Sequence, residues 1–232
     1  MKVHISISFA LFLAFSASAS AAPKAWVDPN NITNYLTKEG IELLESSFRI
    51  STDLSKVRFY LYTPEHGAEN HWNFRAGVDP QELLDHGFDP SRPTKFISHG
   101  WTGSAAGWVD DFAAGYFSHP ELYCNIIGVE YTPLATWDNY FLAANNAVKV
   151  GKHSGEVIGV DLLMNGLGQT PDQIHAIGHS LGGHVVGHFG RSVKELGGQG
   201  QIARITCKKK IFIIFTFTQF FFHSFGSYQT LV

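Results

Sequence analysis

Residues 174–190 read Ile-His-Ala-Ile-Gly-His-Ser-Leu-Gly-Gly-His-Val-Val-Gly-His-Phe-Gly, and Gly178-His179-Ser180-Leu181-Gly182 at their centre has the G-x-S-x-G spacing of a nucleophile elbow. Glycine is needed on both sides of the serine because a strand there turns sharply into a helix, the two segments pass closely, and side chains at those positions would collide. The geometry lifts Ser180 clear of the sheet. It also puts the backbone N–H of Leu181 at the positive end of the following helix, aimed at the place where an oxyanion would form.

The flanks support this reading over an incidental serine in a glycine-rich turn. His175, Ala176 and Ile177 follow Gln-Ile in a short, mostly apolar run that reads as a buried parallel strand. Downstream, Val185, Val186, Phe189 and Val193 recur at helical spacing, and Lys194, Glu195 and Gly197-Gly198 mark the helix end.

A tetrahedral intermediate needs more than one donor, and His99-Gly100-Trp101 offers a second. The segment leaves a short strand at residues 94–98, and its glycine permits close backbone approach. A tight glycine turn carrying a core tryptophan would read the same way. We assign the second oxyanion donor to the backbone N–H of Trp101, beside that of Leu181, with Gly100 as the loop glycine.

The remaining elements place both segments in one architecture. Residues 57–62 are β-branched, aromatic and apolar and read as a strand ended by Thr63-Pro64, after which a polar loop runs to Pro93. Trp108, Phe112 and Tyr116 have helical spacing, residues 125–129 read as a buried strand, and residues 202–206 as another. From Tyr140 to Leu167 the positions Leu142, Val148, Val157, Ile158, Leu162 and Leu163 predict one long helix, weakened by Gly151, Gly155 and Gly159. Strands alternating with crossover helices predict an α/β protein, a mostly parallel central sheet with helices on both faces. Catalytic groups should then collect at the carboxyl ends of its strands.

Composition bounds the setting. Lys2, an apolar run through Phe15 and the small residues from Ser16 to Ala21 form a secretory signal peptide, residues 1–19, with cleavage after Ala19 or after Ala21. That run is too short to span a bilayer, so no transmembrane segment is expected. The mature chain is expected to be secreted and extracellular. Asn31-Ile32-Thr33 is a glycosylation sequon there, and an unmodified surface turn carries the same sequence. A formal net charge of −3 gives no electrostatic footprint for nucleic acid. Two cysteines, Cys124 and Cys207, are too few for a disulfide framework.

Several stretches together carry a family resemblance: residues 93–101, Ile126-Ile127-Gly128-Val129-Glu130-Tyr131, residues 175–190, Gly197 and Arg204-Ile205-Thr206. In this order and spacing they resemble the animal pancreatic lipase family, especially its arthropod members. The resemblance covers about residues 50–206. It implies an α/β-hydrolase fold that cleaves ester bonds of acylglycerols or phospholipids, with Ser180 as nucleophile and with no metal or other cofactor in the chemistry. Lipid ester or a lipid surface is then the expected partner.

The resemblance also shows what is missing. In this fold the triad runs Ser, then Asp or Glu, then His along the chain, yet no aspartate follows Ser180. The family places its acid in a Gly-Leu-Asp-Pro context just beyond a strand like Arg204-Ile205-Thr206, and here Cys207-Lys208-Lys209-Lys210 stands there. Glu195 is the only later carboxylate, and fifteen residues of helix put it about 22 Å from Ser180. His184 and His188 share that helix and read as helix-face or core residues, and His223 lies in a segment with no family counterpart. No triad Asp or His is therefore assigned.

Residues 20–206 read as the N-terminal part of the hydrolase domain, its fold incomplete at the C-terminus. Residues 207–232 form a foreign tail holding seven of the chain's 19 phenylalanines and no acidic residue, which suggests intron-derived sequence. Function therefore has two readings at this level. One is a secreted lipase-type serine ester hydrolase serving lipid catabolism. The other is a non-catalytic lipid-binding or storage module, or an inactive truncated product.

Overall fold

The computed structural model describes residues 51–136, 140–208 and 230–231. The signal peptide, the Asn31 sequon and His223 lie outside those residues. Strands β1 (Arg58–Tyr62), β2 (Trp72–Phe74), β3 (Thr94–Ser98), β4 (Asn125–Glu130), β5 (Ile174–His179), β6 (Arg204–Lys208) and β7 (Thr230–Leu231) form one sheet in the order β2-β1-β4-β3-β5-β6-β7. The central strands β4, β3, β5 and β6 are parallel, while β1, β2 and β7 pair antiparallel with their neighbours. β4 is buried at every position, as a strand covered on both faces must be.

Side-chain alternation along the strands divides the core into two clusters, one on each sheet face. Phe59, Leu61, Phe96, Ile127, Val129 and Ala176 point to one face. There they meet helix α3 (Tyr140–Ser154), its π-helical continuation Gly155–Gly166, and helix α4 (Gly182–Gly197). Tyr62, Ile97, Ile126 and Ile177 point to the other, where helix α2 (Ala105–Phe117) supplies Ala105, Val109 and Ala113. Gly128 lets α2 come close, since a Cβ there would stand 3.1 Å from Val109 Cγ2. Phe96 stacks on Phe189 with ring centroids 4.1 Å apart, tying β3 to α4.

Two sequence expectations are corrected. The segment after Pro64, read as a polar loop, contains β2 and the short helix α1 (Pro80–Asp85). Trp72 holds β2 by stacking on His86 at 4.0 Å, and the Asp79 side chain caps the Gln81 N–H ahead of α1, with Pro80 at the first helical position. The strand expected at residues 202–206 runs instead from Arg204 to Lys208. The Ala203 N–H is held by the Pro171 carbonyl at 3.0 Å, and pairing continues until Lys208 faces His179.

The expected long helix runs through Gly151, Gly155 and Gly159, α-helical to Ser154 and π-helical from Gly155. A Cβ at Gly151 would strike the Val185 carbonyl, one at Gly155 would lie 2.7 Å from the Phe189 carbonyl, and one at Gly159 would overlap Val193 Cγ2. Spaced four apart on one face, they form the groove into which α4 packs. The close approach of two helices, rather than helix propensity, accounts for all three. Among the described residues no helix is long and apolar enough to cross a membrane.

Candidate active site

β5 ends at His179, Ser180 turns the chain, and α4 begins at Gly182. Ser180 is exposed and has φ 53°, a left-handed backbone that costs a non-glycine residue strain on the order of 1–3 kcal/mol. Three contacts hold it there. The Ser180 N–H donates to the Lys208 carbonyl at 2.9 Å, and the Ser180 carbonyl accepts from Gly183 N–H at 3.0 Å. The third is steric. A Cβ on Gly178 would collide with the Gly182 backbone, and one on Gly182 would collide with the carbonyl oxygens of Ser98 and His99.

The same closeness brings the segment after β3 onto the elbow. A Cβ on Gly100 would stand 2.9 Å from the His179 carbonyl oxygen and 3.1 Å from Ser180 Cβ. Gly100 therefore lies directly against the serine, with Trp101 next in the chain. Leu181 buries its side chain and is 2% exposed, so its place in the turn is fixed by the core. Trp101 is anchored by its indole Nε1–H, which donates to the Thr136 carbonyl at 2.7 Å, and by an edge-on contact to Tyr140 at 5.2 Å.

Residues that sequence reasoning did not single out hold this loop from below. Thr102, at φ 58°, donates its N–H to the Ala135 carbonyl at 3.0 Å, and Gly103 N–H donates to the Gly100 carbonyl at 3.1 Å. Glu130, at the end of β4, accepts from Ser104 Oγ at 2.7 Å and Ala105 N–H at 2.8 Å through Oε2, and from Thr132 N–H at 2.7 Å through Oε1. Burial alone would raise the pKa of this carboxyl, but the hydrogen bonds from Thr132 and Ser104 outweigh it and hold the group well below the usual carboxylate range. The one signal in the sequence was a charged residue closing an otherwise apolar strand.

Other candidates lie apart from Ser180. His175 points to the α2 face and hydrogen-bonds Thr206 Oγ1 at 2.9 Å. Glu195 is exposed near the far end of α4. Neither reaches the elbow. No group of three or more His, Cys, Asp or Glu side chains able to hold a metal occurs among the described residues. A recess of about 410 Å³ is lined by Leu54, Lys149, Lys152, His153, Glu156, Ser192 and Leu196, none of them at the elbow.

A sheet with parallel central strands, helices on both faces and a serine on a strained turn after a central strand is an α/β-hydrolase arrangement. The sequence pattern of the family described as Lipase matches residues 31–219, and the chain belongs to that family. It is 34% identical to inactive pancreatic lipase-related protein 1 of Homo sapiens, over 60% of this chain and 29% of that protein. It is 32% identical to pancreatic triacylglycerol lipase of Oryctolagus cuniculus, over 70% of this chain and 33% of that protein. The chain thus spans about a third or less of these relatives' length. Among solved structures, that of the esterase Est22 aligns over 84% of this chain and 59% of its own at 15% identity, with a TM-score of 0.33.

Proposed function

We propose that this chain carries the nucleophile region of a secreted lipase-type serine ester hydrolase acting on acylglycerols or phospholipids. The observation that carries the reading is the exposed, strained Ser180 with Gly100 packed against it. Ser180 Oγ would attack the ester carbonyl carbon, and the carbonyl oxygen, now an oxyanion, would be held by the N–H groups of Leu181 and Trp101. Collapse of that intermediate breaks the ester C–O bond and expels the alcohol, which takes up the proton given up by the serine hydroxyl; water then attacks the acyl-enzyme, releasing the fatty acid and returning a proton to Ser180 Oγ. The signal peptide at residues 1–19 supports secretion, and the Gly-Leu-Asp-Pro context that carries the family's triad acid is replaced here by Cys207-Lys208-Lys209-Lys210.

That replacement favours a second reading, an inactive product or a module that binds lipid without cleaving it. One relative is itself named an inactive lipase-related protein. Loss of a triad member leaves on the order of 10³–10⁴-fold acceleration over water from the oxyanion site and binding, far short of a working lipase.

A fluorophosphonate probe separates the two. Covalent labelling of the full chain, abolished by Ser180→Ala, identifies an activated serine. Binding to triolein emulsion or phosphatidylcholine vesicles without labelling identifies the module.

A further inference from the structure

The carboxylate of Glu130 is buried, at 8% residue exposure, and is not among the groups that would meet substrate in the reaction proposed above. A buried charge persists only where its lone pairs are fully engaged. Three donors engage it, Ser104 and Ala105 at the end of the loop that begins at His99, and Thr132 just beyond β4.

His99 lies between this carboxylate and the elbow. Its ring, 2% exposed, stacks on Tyr131 at 4.2 Å. Nδ1 lies 2.8 Å from the Gly100 carbonyl and must carry the hydrogen, because a carbonyl only accepts. Nε2 accepts from the Tyr131 N–H at 3.3 Å and sits 3.5 Å from Glu130 Oε1. The Tyr131 hydroxyl donates back to the His99 carbonyl at 2.8 Å, and that same carbonyl oxygen is one of the atoms that forbid a side chain at Gly182. Thr132 Oγ1 adds a bond to the Gly103 carbonyl at 2.8 Å. The side chains of Glu130, His99, Tyr131 and Thr132 thus all make hydrogen bonds to the segment that presses Gly100 onto Ser180.

We propose that Glu130 and His99 are positioning residues that set the Gly100–Trp101 backbone over Ser180. The proposal concerns how the oxyanion loop is held, and it rests on the ester-hydrolase reading only for its catalytic consequence. The three donors to Glu130 leave no room for an amide group. Glutamine can accept on one side, but its NH₂ would then face a donor on the other. Aspartate keeps both acceptors and loses reach. Glu130→Gln should therefore release the loop, and Glu130→Asp should restore part of the hold.

The test compares the full-length wild type with Glu130→Gln, Glu130→Asp and Tyr131→Phe, using hydrogen exchange for the loop and fluorophosphonate labelling for Ser180. In Glu130→Gln we expect amides of residues 99–105 to exchange at least tenfold faster while those of β5 and α4 keep wild-type rates. Labelling at matched folded fraction should fall at least tenfold, with Glu130→Asp intermediate in both. Tyr131→Phe removes the hydroxyl that bonds the His99 carbonyl and the Ser98 side chain at the start of the loop, so it reads out the loop even where Glu130→Gln does not fold. A threefold or greater rise confined to residues 99–101 is expected. Wild-type exchange in the loop, or acceleration spread equally over β5 and α4, overturns the proposal. If the wild type takes no label, the ester-hydrolase reading fails and the exchange pattern alone decides the positioning role.

Discussion

Gly100 and Ser180, eighty residues apart in sequence, are packed so closely that a Cβ on the glycine would stand 3.1 Å from the serine Cβ and 2.9 Å from the His179 carbonyl oxygen. The second obstacle is backbone at a strained turn and cannot swing aside. Gly100→Ala should therefore push the loop off the elbow, at a cost of about 1–3 kcal/mol in stability. If Ser180 takes the fluorophosphonate label, the rate should fall at least tenfold in this variant, measured alongside thermal unfolding.

Glycines of α4 and its partner helix should respond to alanine in opposite directions. At Gly187 nothing lies within 4 Å of an added Cβ, and the residue is exposed in mid-helix. Gly187→Ala should stabilise by about 0.5–1 kcal/mol. At Gly155 the Cβ would meet Phe189 O at 2.7 Å, so Gly155→Ala should destabilise by about 1–3 kcal/mol. Denaturant titration of both variants checks the pair, and equal shifts would refute the groove.

These contrasts mark how far the sequence was legible. The elbow was readable because its signature is confined to five residues, with Gly178 answering a clash inside the motif and Gly182 one with the Ser98 and His99 carbonyls, and Ser180 does sit in a left-handed turn between β5 and α4. The helix glycines were legible only as a cost in propensity, which is a property of one helix, while their purpose is the approach of another. β6 started two residues late because Ala203 is captured by Pro171, a contact that no periodicity records. Glu130 escaped for the same reason. Its partners sit at residues 99, 104, 105 and 132, and only the fold brings them together.

The two cysteines should behave as free and unequal thiols. Both are unpaired, Cys124 lying in the core on the α2 face and Cys207 beside Gly183. Burial pushes the Cys124 thiol up to about 11, against the opposing pull of Lys95 and Arg92, and burial also raises that of Cys207. Since the thiolate is the nucleophile, iodoacetamide at pH 8 should leave Cys124 unmodified in the folded chain and modify both cysteines in guanidinium. Native modification of Cys124 at the rate of a free thiol would contradict its burial.

Acid sensitivity should begin above the carboxylate range because of His175. Burial of its ring, with Lys95 and Arg204 adding repulsion, lowers its pKa to about 4 from an ordinary 6.5. Lys95, His175 and Arg204 occupy directly paired positions across β3, β5 and β6, so the cations share one sheet face. Between pH 6.5 and 4 the unfolded chain binds a proton at this residue that the folded chain refuses, so stability rises with pH across that window. The contribution is fully present above 6.5, is lost progressively as pH falls, and below about 4 both states are protonated and the loss stops growing. Solvent screens the half-buried ring, which brings the change to the order of 1–2 kcal/mol. His175→Asn should flatten the stability profile between pH 4 and 6.5 while leaving the steeper loss at lower pH that follows protonation of Glu130, whose depressed pKa makes its contribution vanish only in stronger acid. Chemical denaturation of the two proteins at half-unit pH steps measures the difference, and parallel curves through that window would show that His175 does not carry it.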